Sequence, residues 1–250
     1  MSAAQAPVPP GMTGKNLAET LARVASASTR AARARPARLV AVSKTKPVAQ
    51  LMECYDAGHR DFGENYVQEI LEKSPAMPAD VNWRFIGHLQ SNKVRALIRG
   101  VPSLAVIETV DTVKLANRLD QQVAEAVAEA IRAEPLGVMV QVNTSGEESK
   151  SGVEPGAPVV DLAKHIAEEC ANLRFRGLMT IGMPDYTSRP ENFESLRKCR
   201  EEVCAALGVD PAEVELSMGM SGDFEAAIEM GSDSVRVGSS IFGARDYSKK

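Results

Sequence analysis

Apolar positions along the chain fall into two alternating patterns. Short runs rich in Val, Ile and Leu read as strands: Leu39–Ser43, Arg60–Phe62, Arg84–Gly87, Leu104–Val110, Gly137–Val142, Phe175–Thr180, Glu215–Met218 and Ser234–Val237. Between them, near 47–57, 65–73, 91–99, 112–132, 157–171, 190–206 and 222–230, apolar residues recur at helical spacing. A further amphipathic helix, Asn16 to Ala34, precedes the first strand with Leu17, Leu21 and Val24 on one face, and a helical turn at 239–243 follows the last.

Strands that alternate with helices predict a parallel sheet built from crossover units. Eight such units predict a single α/β domain, a (β/α)8 TIM-like barrel with an extra N-terminal helix; an open doubly wound sheet is the alternative. No linker or internal repeat divides the chain. Residues 1–12, small and Pro-rich, are expected to form a disordered tail, and 13–250 the barrel.

Composition narrows the classes. The 250 residues are 44% hydrophobic and 25% charged with a net charge of −4, the profile of a well-cored globular protein. No basic run points to nucleic acid or an anionic membrane, and no apolar stretch is long enough to span a bilayer. The start lacks the charged and apolar regions of a secretory signal. The arginines of 23–38 look faintly like a transit segment, but Glu19 and the helical period argue for a cytoplasmic protein. The four cysteines form no C-x-x-C pair and read as reduced thiols, and the three histidines have no zinc-site spacing.

In a barrel, reactive groups lie at the C-terminal ends of the strands. With a period of two, Val40, Val42 and Lys44 share a face, which puts an amine at the mouth above an apolar floor; partial burial would lower its pKa and free it to attack an aldehyde. The plain alternative makes Lys44 and Lys46 solvated loop lysines. Arg236 and Gly238 share a face of the last strand, and an arginine there needs a partner. The loops Ser217–Asp223 and Gly238–Ser240 carry Gly and Ser ahead of helices, in the position where barrels build phosphate sites; ordinary helix caps are the competing reading. Asn65 and His88 end the second and third strands, and 143–152 is a long polar loop. An amine, an anion cradle and an arginine together fit pyridoxal 5′-phosphate (PLP).

The segments Ala41-Val42-Ser43-Lys44-Thr45-Lys46-Pro47, Phe62-Gly63-Glu64-Asn65-Tyr66-Val67-Gln68-Glu69, Phe85-Ile86-Gly87-His88-Leu89-Gln90-Ser91-Asn92-Lys93, Leu216-Ser217-Met218-Gly219-Met220-Ser221 and Val235-Arg236-Val237-Gly238 resemble the pyridoxal phosphate homeostasis protein family, over about Arg38 to Tyr247. The resemblance implies a PLP fold-type III barrel similar to the N-terminal domain of alanine racemase. It implies that Lys44 holds PLP as an aldimine, that Arg236 lies beside the pyridine nitrogen, that Gly238, Ser239 and Ser217 contact the phosphate, and that Asn65 lies near the ring. Ser239 stands where the family often carries threonine, and either hydroxyl can donate.

A racemase needs a base on each face of the cofactor and a ring that accepts electrons. The chain ends soon after the last strand, without room for a racemase's second domain, and an arginine beside the ring nitrogen weakens the electron sink. The expectation is a non-catalytic carrier that buffers PLP and delivers it to apo PLP-dependent enzymes. The alternatives are a weak PLP-dependent racemase or lyase and, more remotely, a phosphosugar isomerase without PLP.

Overall fold

The computed structural model describes residues 9, 11–146, 151–182 and 190–244. Eight parallel strands, β1 (Arg38–Val42), β2 (Asp61–Glu64), β3 (Asn82–Phe85), β4 (Leu104–Val110), β5 (Leu136–Gln141), β6 (Leu173–Met179), β7 (Glu215–Met220) and β8 (Ser234–Val237), close into a barrel in chain order. The open-sheet alternative is therefore excluded: β1 pairs with β8, Leu39 opposite Val235 and Ala41 opposite Val237. Outside the strands lie α2 (Val48–Asp56), α3 (Val67–Lys73), α4 (Val94–Gly100), α5 (Val113–Ala128), α6 (Ala157–Glu169), α7 (Pro190–Leu207), α8 (Phe224–Glu229) and the short α9 (Ser239–Phe242). The extra helix, α1 (Met12–Arg30), packs against α2, α8 and α9.

The main apolar core is the layer between barrel and helices. Leu39, Ala41, Phe62, Trp83, Phe85, Ile107, Val138, Leu216 and Val235 are buried there against Leu51, Ile70, Leu97, Leu119 and Ile166 of the helices. The strand residues of opposite parity turn inward, where Val106, Met139 and Met179 form only a small apolar cluster. Much of the remaining interior is charged. Arg84, Glu108, Ser217 and Arg236 are all at most 4% exposed, and they bond to one another.

Element ends differ from the expected ones for identifiable reasons. Gly11 and Met12, expected in the tail, belong to the start of α1, where Glu53 of α2 accepts hydrogen bonds from the amides of Gly11 and Thr13. α1 stops at Arg30 and α5 at Ala128, short of the periodicity. In both cases an alanine, Ala32 at φ 50° or Ala130 at φ 57°, takes the left-handed position that glycine usually fills. The amide of Arg33 then reaches the carbonyl of Ser28, and that of Ile131 the carbonyl of Ala126, closing Schellman turns that the sequence does not announce. The helix expected from 91 begins instead as a 3-10 turn at Ser91–Lys93. β7 runs two residues beyond its expected end, through Gly219 at φ 97° and a register irregularity between Ser217 and Met220. A Cβ on Gly219 would stand 2.6 Å from that of Ala227, so the position needs glycine for both shape and space.

Candidate functional site

At the C-terminal end of the barrel lies a cavity of about 600 Å³. Lys44, Asn65, Arg236, Gly238 and Ser239 all line it, so chain segments nearly two hundred residues apart converge on one space. Val42, Ile86, Ile181 and Met220 supply apolar wall. Lys46 lines it too, but its ammonium donates to the carbonyl of Ala244 at 2.6 Å. His88 stays outside, largely exposed, with Nδ1 3.2 Å from the hydroxyl of Ser151. The loop from 143 is described as far as Gly146, and Glu147, Glu148 and Lys150 lie outside the described residues.

Lys44 leaves the barrel on a braced strand end. Behind it Lys73 donates to the carbonyl of Ser43 (2.8 Å), to Glu64 (2.7 Å) and to Glu69 (2.6 Å), which uses all three ammonium protons. Glu64 also accepts from the Ser43 hydroxyl at 2.6 Å; burial pushes its carboxyl above the usual range against the pull of Lys73. Glu69 accepts from the amide of Thr45 at 2.7 Å and so helps to hold that residue at φ 63°, an unusual conformation for a β-branched side chain. Lys44 thus sits between an anchored serine and a fixed bend. Asn65 is set by close backbone approach: a Cβ on Gly87 would lie 1.9 Å from the Asn65 carbonyl oxygen, so only glycine fits there. The side-chain Oδ1 of Asn65 is buried and has no hydrogen-bond partner among the described residues.

Arg236 forms the floor. It donates to the hydroxyl of Ser217 and to the carbonyl of Thr180, each at 2.6 Å, and Ser217 donates to Glu108 at 2.6 Å. Burial holds the Arg236 guanidinium below its ordinary value, with Glu108 and Asp223 pulling the other way. The Glu108 carboxyl is pushed up by burial, but Arg84, Arg236 and Ser217 outweigh this and hold it below the usual range. Ser217, expected at the phosphate, is fully buried in the strand, does not line the cavity and spends its hydroxyl on this chain of bonds. The residue at the tip is Ser221, which with Gly222 forms the cavity wall and accepts a hydrogen bond from the amide of Gly238 at 3.1 Å. Glycine and serine from two loops are therefore tied together on one side of the cavity.

The four cysteines are free and buried, and burial pushes Cys54 to about 12 and Cys170 to about 11, so neither offers a thiolate near neutral pH.

The alanine racemase N-terminal domain matches residues 16–246. The pyridoxal phosphate homeostasis protein of Bos taurus is 50% identical over 239 residues, covering 91% of this chain and 85% of its own length. The chain belongs to the pyridoxal phosphate homeostasis protein family. The human member is 48% identical over the same coverage. PipY of Synechococcus elongatus, solved with PLP bound, superposes with a TM-score of 0.71 at 29% identity, covering 92% of this chain and all of PipY. The homeostasis family and the alanine racemase-like barrel that the motifs implied are both confirmed by these matches.

Proposed function

We propose that this protein binds PLP in the mouth cavity through Lys44 and serves as an intracellular carrier that buffers the cofactor and hands it to apo-enzymes. The observation that carries the reading is the convergence of Lys44, Arg236 and the two Gly/Ser loops on one cavity. The donor set fits the group: a primary amine, hydroxyls and backbone amides for a phosphate, a guanidinium for a ring nitrogen, and the unpartnered Asn65 Oδ1. Bound there, PLP supplies an aldehyde that condenses with primary amines.

The chain's own residues do the rest. Lys44 presents its amine from the braced end of β1, while Lys46 is drawn to the Ala244 carbonyl. Ser221, Gly222, Gly238 and Ser239 would cradle the phosphate, with Ser217 one layer below holding Arg236. Arg236 offers only donors, because a guanidinium keeps its charge in proteins. A ring nitrogen facing it remains unprotonated and is a poor electron sink, which favours holding the cofactor over amino-acid chemistry. The relatives' shared description as homeostasis proteins supports the same reading. Among the described residues no helix is long and apolar enough to cross a membrane.

Two experiments test this. Borohydride should trap PLP on wild type and Lys46→Ala but not on Lys44→Ala; trapping lost only in Lys46→Ala overturns the assignment. The loaded protein should reactivate an apo PLP-dependent enzyme and leave a panel of amino acids unchanged. Turnover of any of them at an enzyme-like rate overturns the carrier reading in favour of a racemase or lyase.

A further inference from the structure

The opposite, N-terminal end of the barrel holds a second cavity of about 260 Å³. Five arginines line it, Arg38, Arg84, Arg132, Arg174 and Arg176, against two carboxylates, Asp61 and Glu134. Conserving fold is the usual task of this end of a barrel, and part of the cluster does that. Glu215 is clasped by Arg38, by Arg84 at 3.5 Å and by Arg176 at 4.0 Å, while Arg84 also bonds Glu108. Asp61 also lies 3.9 Å from Arg38, so these three guanidiniums are matched by Glu215, Glu108 and Asp61.

Arg132 and Arg174 are not accounted for in this way. Arg132 donates to two backbone carbonyls, those of Glu134 and Leu104, each at 3.0 Å. Its Nη1 is buried without a hydrogen-bond partner, and no carboxylate lies within 4 Å of its guanidinium, among the described residues. Burial pulls this arginine below its ordinary value, opposed only by Glu134. Arg174, exposed on β6 and two residues from Arg176, also forms no ion pair among the described residues. Two guanidiniums without a carboxylate partner, beside a cavity walled by three more, give it a positive field that suits an anion.

We propose that this basin is a second ligand site, specific for a small, multiply charged oxyanion such as a phosphate ester or a polycarboxylate. The ligand would pair with the exposed Arg174 in the positive field of Arg132. Planar guanidinium forks suit oxyanions, and the volume admits a small metabolite but not a polymer. The site is separate from the mouth and does not depend on what binds there.

Calorimetric titration of the full chain at low ionic strength tests the proposal, with inorganic pyrophosphate and citrate as separate probes. Ser221→Asp places a carboxylate in the mouth cradle and removes that site as a competitor. In this background at least one probe should bind with one site per chain, and the tighter probe distinguishes a phosphate ligand from a carboxylate one. Adding Arg174→Gln, an exposed change that spares the fold, should weaken binding tenfold or more, and so should Arg132→Gln. Raising the salt should weaken it further. Absence of binding by both probes in Ser221→Asp, or binding unchanged by Arg174→Gln, overturns the proposal.

Discussion

Two serines expected in one role occupy different places, and substitution separates them. Ser217 is buried between Glu108 and Arg236, so Ser217→Ala leaves a buried guanidinium nitrogen unsatisfied; it should lower unfolding free energy by about 1–3 kcal/mol, measured by urea denaturation. Ser239 is exposed at the mouth, so Ser239→Ala should leave stability within about 0.5 kcal/mol while weakening PLP binding. Equal stability losses would mean that the buried chain of bonds contributes nothing. That Lys44, Arg236 and Gly238 face one cavity is legible in the sequence, because a period of two carries through β1 and β8 without interruption. Ser217 lies off the cavity because Gly219, which reads as a strand end, is a bulge that lets β7 continue to Met220 and brings Ser221 to the tip. Glu64, Glu69 and Lys73 were visible as motif letters or as an i,i+4 pair, but nothing local shows that they converge behind Ser43. Glu108 and Arg84, which fix Arg236, come from other strands, and only barrel closure brings them together.

At the scale of elements, helix ends with glycine were readable and those with alanine were not. α2 and α8 end beside Gly58 and Gly231, both at positive φ, and their limits fall within two residues of expectation. α1 and α5 end on Ala32 and Ala130. The left-handed conformation costs alanine about 1–2 kcal/mol, and glycine gives back about 0.4–1 kcal/mol through a freer unfolded chain. Ala130→Gly should therefore stabilise by roughly 0.5–1 kcal/mol, a gain read directly from the urea midpoint. The junction of α1 with α2 makes a pH prediction. Burial alone pushes the Glu53 carboxyl up, but the backbone amides at the start of α1, Gly11 and Thr13 among them, outweigh it and hold it below its ordinary value. A lowered folded pKa means that the stabilisation is present above the unfolded pKa and is lost as pH falls through the folded one. Glu53→Gln should lower the melting temperature at pH 6–7, and its deficit should shrink toward pH 3. A constant deficit across that range would show that the carboxylate charge is not what holds α1.

The whole molecule closes by pairing its first strand with its last, so Lys44 from β1 meets Arg236 and Gly238 from β8 only when the ring is complete. During synthesis the chain emerges from its N-terminus, and a nascent barrel carrying seven strands has its lysine but lacks the floor and one cradle loop of the cavity. On the proposed reading of the cavity, capture of a reactive aldehyde would thereby be deferred until folding has finished. For the mature protein the same seam acts as a clasp: a ligand touching both edges is bound to the closed ring and not to the opened one, so its binding energy is added to closure. Saturating PLP should slow amide exchange in β1 and β8 together, more than in β4 and β5 on the far side, in the manner of a buckle that tightens when loaded.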